Sequence, residues 1–167
     1  MRENTRIIPR VVVTGLGAIS PIGHDVSSTW NSLVAGQGGV GYVSLYDTGP
    51  FDTKIAAEVK DFEPVKYFGA KEARRLDRVS QFGLIAAKQA IEDAQLKIDE
   101  DNTWETAVVI GSGIGGIGTL VEEHRIMFEK GPRRVSPFTV PMMLPDTATG
   151  QVAIHFGLRG PNICTVT

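Results

Sequence analysis

The stretch TAVVIGSGIGGIGTLV, residues 106–121, decides the fold of this chain. It begins with a short run of apolar, β-prone residues, Ala107 to Ile110, which is typical of a buried strand. Glycines follow at positions 111, 113, 115, 116 and 118. They indicate a sharp turn, or a place where another group approaches the backbone and a Cβ would clash. Residues at helical spacing come next: Leu120, Val121, His124, Met127 and Phe128. The stretch therefore predicts a strand, a glycine turn and a helix.

The glycine turn also fits the dinucleotide-binding pattern G-x-G-x-x-G, from Gly111 to Gly116. That reading requires a second strand after the helix, ending in an acidic residue about 20 positions on. Here Gly-Pro-Arg-Arg follows the helix instead, with no strand-like run before Pro137. Ile114, a bulky apolar residue inside the loop, suits an apolar ligand better than a pyrophosphate. Tight packing of strand on helix, with no ligand, remains an open alternative.

Composition excludes several classes of function. The chain has 167 residues, about one domain's length, and a net charge of −2, which argues against general nucleic-acid binding. The first ten residues are too charged for a signal peptide, and residues 1–9 are interpreted as a loose lead-in. No apolar run reaches the roughly 20 residues of a membrane helix. A single cysteine cannot form an internal disulfide, which favours a reducing, cytoplasmic compartment.

Strand-like and helical segments alternate along the chain. Strands are predicted at 10–14, 42–45, 56–59 and from Asn162 onward. Helices are predicted at 26–34, with an apolar face of Val26, Trp30, Leu33 and Val34 before Gly36, and at 146–156 before Gly157. A long helix to Gln95, capped by Asp77, has a predicted core face of Val79, Phe82, Ile85, Ala86 and Ala90. Residues 132–145 contain four prolines and are predicted to be irregular. The alternation predicts an α/β architecture with a mixed or largely parallel sheet.

Four motifs carry a family likeness. They are RVVVTGLGAISPIG (10–23), GSGIGG (111–116), GPRRVSPF (131–138) and GLRGPN (157–162). In order and spacing the chain resembles the elongating β-ketoacyl-acyl-carrier-protein synthases, and most of all the synthase II branch of bacterial fatty acid synthesis. The likeness runs from about residue 10 to residue 167.

This resemblance implies the N-terminal half of a thiolase-like fold, with a mixed sheet and packed helices. It implies a homodimer without cofactor or metal that condenses a fatty acyl-enzyme thioester with malonyl-acyl carrier protein, with loss of carbon dioxide. It also implies that residues 1–167 are the N-terminal part of the ketosynthase domain, ending just before the nucleophile turn. Thr167 matches the threonine of the family's Thr-Ala-Cys, so the nucleophilic cysteine is expected two positions past it. The catalytic histidines and lysine are expected further on, so this portion alone is expected to be inactive.

The cysteine and histidines that are present are given structural interpretations. Cys164 lies inside a predicted strand, where cysteine usually serves as a small hydrophobic residue. His24, His124 and His155 are scattered, with no carboxylate or cysteine at ligand spacing, and none matches a catalytic histidine of the family. We therefore expect surface or helix-face positions for them.

The resemblance assigns two groups of site residues within the chain. Ile114 matches the gate of the acyl tunnel and Ile117 a neighbour along it, while Val135 and Thr139 match positions that reach the other subunit's tunnel. Arg74, Arg75, Arg133 and Arg134 match positions that dock the acidic carrier protein. Two positions depart from the pattern. Relatives often have phenylalanine where Thr139 stands, and an aliphatic residue and asparagine where Pro145 and Asp146 stand.

Three readings remain open. The first is the condensing enzyme. The second is a non-catalytic, ketosynthase-like partner that sets chain length in a polyketide system; the residue at the nucleophile position, cysteine or glutamine, distinguishes it. The third is the dinucleotide-binding domain, which tight binding of a dinucleotide would favour.

Overall fold

The computed structural model describes residues 9–166 of the chain. Its helices are α1 (Val26–Val34), α2 (Pro64–Ala73), α3 (Arg78–Asp93), α4 (Ile117–Lys130), α5 (Thr139–Met143) and α6 (Thr147–Phe156), with a 3₁₀ turn at Pro132–Arg134. Its strands are β1 (Val40–Tyr42), β2 (Ile55–Ala57), β3 (Val108–Ser112) and β4 (Asn162–Val166). The predicted lead-in, apart from Pro9, and the threonine at 167 lie outside the described residues.

The described strands form two separate pairs. β1 and β2 are antiparallel, with Val40 opposite Ala57. β3 and β4 are parallel, in a register that runs from Val108 opposite Asn162 to Ser112 opposite Val166. Helices α4, α5 and α6 lie between β3 and β4 in the chain. The predicted α/β class is confirmed, although these residues form two pairs and not one mixed sheet.

The core lies between α3, α6 and β3. Its buried cluster contains Leu76, Leu84, Val108 and Val152. The cap predicted for α3 is confirmed, since Asp77 Oδ1 accepts a hydrogen bond from Val79 N at 3.0 Å.

The predicted core face of α3 is only partly right. Ile85 is buried, but the other fully buried positions of this helix are Ser80, Gln81 and Leu84. The small residues Ala86 and Ala90 lie instead beneath the backbone of a glycine segment. A Cβ at Gly17 would come within 2.9 Å of Ala90 N. Small side chains on this face of α3 therefore let a chain segment lie directly on the helix.

The strand predicted at 10–14 is wrong. Residues 11–19 have no regular secondary structure, and Val11 and Val13 are 92% and 80% exposed. No other strand among the described residues pairs with this segment. Its amides bond side chains of α3 instead: Leu16 N donates to Asp93 Oδ2 and Ala18 N to Gln89 Oε1, each at 2.9 Å.

Other boundaries differ by a few residues. The strand pieces predicted at 42–45 and 56–59 form at Val40–Tyr42 and Ile55–Ala57. Residues 132–145 are not wholly irregular, because they include the 3₁₀ turn and α5. Pro141 is tolerated because it lies in the first turn of α5, where an amide has no helical partner. The helices α1 and α6 are confirmed, and Gly157 ends α6 with φ of +69°. No described helix combines the length and apolar character needed to cross a bilayer.

Candidate functional site

The glycine turn joins β3 directly to α4, which confirms the predicted strand, turn and helix. Gly115 has φ of +83°, in the region that favours glycine. Its amide donates to Ser112 Oγ at 2.9 Å, and the Gly116 amide donates to the Met143 carbonyl at 3.0 Å. Both hydrogen bonds hold the loop between the end of the strand and the start of the helix.

Two of the glycines are explained by the approach of protein backbone. A Cβ at Gly115 would lie 2.7 Å from the Met143 carbonyl oxygen and 2.8 Å from Pro145 Cα. A Cβ at Gly116 would lie 2.9 Å from Met143 Cα. The end of α5 therefore occupies the space that side chains would need, and tight packing accounts for these two positions.

Asp77 connects the glycine turn to α3. Its Oδ2 accepts hydrogen bonds from Thr119 N at 3.1 Å and from Thr119 Oγ1 at 2.6 Å. Its Oδ1 caps α3 through Val79 N. The residue is buried, with 8% of its surface exposed, so one carboxylate lies at the N-termini of two helices. No local pattern reveals the second contact, because Asp77 and Thr119 are 42 positions apart.

The same contacts argue against the hypothesis that the glycine turn binds a dinucleotide. A pyrophosphate at a glycine turn is held by free amides at the helix N-terminus. Here the Gly116 amide is bonded to Met143 and the Thr119 amide to the negative carboxylate of Asp77. That carboxylate occupies the position favourable to an anion. In addition, no strand lies between α4 and β4 among the described residues. The geometry therefore argues against dinucleotide binding, while tight packing and an apolar ligand both stay open for the turn.

The four predicted acyl-pocket residues lie on this turn and on the segment that follows α4. Ile114 and Ile117 are exposed, at 61% and 48%, while Val135 and Thr139 are half-buried. Glu123 of α4 accepts a hydrogen bond from Ser136 N at 2.8 Å, which ties the segment that carries the second pair to α4, the helix that begins at Ile117. The described residues do not enclose the four in a closed cavity, and their acyl role stays a prediction.

The four predicted docking arginines are all exposed. Arg74 and Arg75 follow α2, and Arg133 and Arg134 lie in the 3₁₀ turn. Arg75 stacks on the ring of Phe138, 5.3 Å from its centroid, which links the two arginine pairs through the segment after α4. Within residues 9–166, none of the four has a carboxylate within 4.0 Å.

Arg125 on α4 differs from these four arginines because it is paired with carboxylates. Its guanidinium bonds Glu122 at 2.6 Å and Glu129 at 2.9 Å, and these carboxylates, Glu122 foremost, raise its pKa. The charge of Arg125 is therefore locally compensated, whereas the four predicted docking arginines have no carboxylate partner within residues 9–166.

Cys164 and the histidines have the positions expected of structural residues. Cys164 lies in β4, opposite Ile110 of β3, and is half-buried. His24 meets the ring of Phe62 edge-on, while His124 and His155 are exposed on helices α4 and α6. Among the described residues no group of three or more histidine, cysteine or acidic side chains is placed to hold a metal ion.

Comparison with known proteins identifies the class of protein to which this site belongs. Residues 9–167 match the sequence pattern of the family described as "Beta-ketoacyl synthase, N-terminal domain". The chain belongs to the β-ketoacyl synthase family, which confirms the resemblance inferred from the four motifs.

Individual relatives are similar over most of the chain. A 3-oxoacyl-[acyl-carrier-protein] synthase 2 of Staphylococcus aureus (strain COL) is 49% identical over 158 residues, covering 95% of this chain and 38% of the relative. The protein with the same description from Synechocystis sp. is 46% identical over the same shares. The solved structure of the ishigamide ketosynthase/chain length factor superimposes with a TM-score of 0.81 at 26% identity, covering 93% of this chain and 39% of that one. This chain thus spans 38% of the length of these two curated relatives.

Proposed function

We propose that this chain is the N-terminal portion of a synthase that elongates fatty acyl chains. The reaction is a decarboxylative Claisen condensation between an acyl-enzyme thioester and malonyl-acyl carrier protein. Two relatives that are 49% and 46% identical are 3-oxoacyl-[acyl-carrier-protein] synthases, which supports this reaction class. In this proposal the chain contributes the acyl gate, contacts within a homodimer and the docking surface for the carrier protein, and the synthase is cytoplasmic.

The register of the parallel strands is the observation that supports the proposal most strongly. Val166, at the end of β4, lies opposite Ser112, where the glycine turn begins. The resemblance places the nucleophile turn directly after this strand. A nucleophile there would emerge at the same edge of the sheet as Ile114, so an acyl chain bound to it would start beside the proposed gate.

The proposed gate acts through apolar burial. Each methylene of an acyl tail gains about 0.8 kcal/mol when it leaves water, so the depth of the pocket decides which chain length is preferred. Isoleucine is branched at Cβ and has few side-chain rotamers. Ile114 must therefore turn aside before a long tail can pass, whereas a short tail is accommodated without that movement.

Ile114→Phe in the complete synthase tests this function. The larger ring is expected to reduce kcat/KM for long acyl primers by on the order of tenfold, which corresponds to burial of about two methylenes. The shortest primers are expected to be spared. The measurement is kcat/KM across a series of acyl-carrier-protein primers, and Ile154→Phe, the same change at an exposed position of α6, is the control. Equal loss at every chain length contradicts the assignment.

The docking surface has its own prediction. Arg133→Glu is expected to raise the KM for carrier-bound substrate on the order of fivefold, because an exposed charge pair contributes up to about 1 kcal/mol. Its rate is also expected to depend less on salt, since charge of this kind mainly steers encounter. Lys97→Glu, an exposed charge reversal after α3, is the matched control. An unchanged KM and an unchanged salt dependence would rule out docking at Arg133.

A second candidate is the non-catalytic partner that sets chain length in a polyketide system. The observation in its favour is the superposition on the ishigamide ketosynthase/chain length factor. The two candidates differ in whether the complete protein takes an acyl group from acyl carrier protein onto a thiol. Covalent labelling by a radioactive acyl-carrier-protein primer supports the synthase, and its absence from a folded protein supports the partner.

A further inference from the structure

We propose that Asp77 is the positioning residue of the acyl gate, which it holds by tying the first turn of α4 to α3. This inference rests on the proposed function, because it concerns the gate at Ile114. It adds to that function by naming the residue that limits the movement of the backbone carrying Ile114. The hydrogen bonds of Asp77 go to Val79 and Thr119, so its proposed action on the gate is indirect.

The hydrogen bonds of Asp77 exceed what a helix cap requires. Oδ1 alone caps α3, through Val79 N. Oδ2 accepts from both the amide and the hydroxyl of Thr119, at 3.1 and 2.6 Å. A carboxylate is stabilised at a helix N-terminus by the helix dipole, and here a single carboxylate lies at two such ends. Because the residue is buried, water does not replace these bonds readily.

Within residues 9–166 the gate has little side-chain support. Ile114 and Ile117 are 61% and 48% exposed, so their positions follow from the backbone that carries them. That backbone is anchored on the strand side by Ser112, which bonds Gly115 N, and in the middle by Met143, which bonds Gly116 N. On the helix side the anchor is Asp77. Four glycines, at 113, 115, 116 and 118, make the intervening chain flexible once an anchor is lost.

The direction of the effect follows from this arrangement. Loss of the Oδ2 anchor loosens the first turn of α4, so the gate turns aside more easily. Long acyl primers, which require that movement, gain relative to short ones. The ratio of kcat/KM for a long primer to that for a short primer is expected to rise on the order of tenfold, as for loss of one hydrogen bond to a charged group.

Two variants of the complete synthase test the inference. Asp77→Asn keeps the size of the side chain but has a single oxygen acceptor, so it cannot serve both helices. Thr119→Val removes only the hydroxyl bond and leaves the α3 cap in place, which keeps the test valid where Asp77→Asn does not fold. Asp25→Asn, at the exposed cap of α1, is the control for loss of a capping charge elsewhere. The readouts are the long-to-short ratio and hydrogen exchange at the Thr119 amide.

The long-to-short ratio of kcat/KM is expected to rise in Asp77→Asn and to rise less in Thr119→Val. Hydrogen exchange at the Thr119 amide is expected to be faster in Asp77→Asn. Asp25→Asn is expected to change neither the ratio nor the exchange rate. A purely structural role would lower activity equally at both lengths, and that result overturns the inference. Ile114→Phe in the same assay distinguishes a failure of the Asp77 inference from a failure of the gate assignment, because it is expected to lower the long-to-short ratio. If it does so while both anchor variants keep the wild-type ratio, the inference fails and the proposed function stands. If Ile114→Phe leaves the ratio unchanged, the gate assignment itself fails.

Discussion

Two similar pieces of sequence, VVVTGLG at 11–17 and AVVIGSG at 107–113, have different structures. The second forms β3, which pairs along its whole length with β4. The first has no strand partner among the described residues and lies as irregular chain across α3, held by Asp93 and Gln89. An apolar, β-branched run therefore becomes a strand only where another strand is present to take its backbone hydrogen bonds.

A glycine in the first piece and a glycine in the turn just after the second piece have the same packing role. Gly17 lies against the backbone of α3, and Gly116 against the backbone at the end of α5. In both places the absence of a Cβ permits close contact between two main chains. Close packing of main chains at a glycine is thus a separate property from strand formation.

The largest effect is expected when these glycines receive a side chain. Gly17→Ala and Gly116→Ala are each expected to lower the free energy of unfolding by about 3 kcal/mol, because the new methyl group meets backbone that cannot move aside. A Cβ would lie 2.9 Å from Ala90 N in one case and 2.9 Å from Met143 Cα in the other. Denaturation in urea measures the effect. Gly38→Ala is the control, since no atom lies within 4 Å of its Cβ position.

An intermediate loss of stability is expected when a valine in one of the two apolar runs is shortened to alanine, and its size should differ between the runs. Val108→Ala in β3 removes buried methyl groups beside Leu84 and Val152, and is expected to cost about 2 kcal/mol. Val11→Ala removes the same groups from a side chain that is 92% exposed, and is expected to change stability by less than about 0.5 kcal/mol. Urea unfolding of both variants compares the two runs directly. Equal losses would show that the first run is as well packed as the second.

The smallest loss of stability is expected at a helix cap. The helices that follow the two pieces, α1 and α4, are capped in different ways. α1 has its own cap, in which Asp25 accepts from Ser28 N at 2.6 Å, whereas α4 depends on the distant Asp77. The bonds to Ser28 lower the pKa of Asp25 below 3.8, so its stabilisation is present above the unfolded pKa and is lost as pH falls through the folded one. Asp25→Ala is expected to cost about 0.5–1 kcal/mol at pH 7.

That cost should shrink as pH falls from 3.8 through the lowered pKa of folded Asp25, because the wild-type carboxylate loses its charge progressively over that range. Hydrogen exchange at the Ser28 amide as a function of pH measures the change. A cost that stays constant from pH 7 to below the folded pKa would show that charge plays no part in this cap.

The sequence predicts those features that depend on neighbouring residues. The cap at Asp77, the strand–glycine–helix unit and the stop at Gly157 all follow from local spacing, and all are present. The unpaired run at 11–17 was not predictable in this way, because strand formation depends on a partner elsewhere in the chain. The bond from Asp77 to Thr119 and the stacking of Arg75 on Phe138 are also contacts between distant segments. Family likeness, in contrast, assigns roles to Ile114 and the arginines that local patterns alone do not reveal.

The parallel pairing of β3 with β4 also determines the order in which the chain can fold. β1 and β2 meet after a short excursion through residues 43–54, whereas residues 113–161 must be gathered before β3 and β4 can meet. Closing the longer loop costs more entropy and is slower. During synthesis, the hairpin is available early, while the glycine turn remains without its neighbouring strand until Val166 has left the ribosome. β4 therefore completes the surroundings of the glycine turn only well after β3 and the turn themselves have been made.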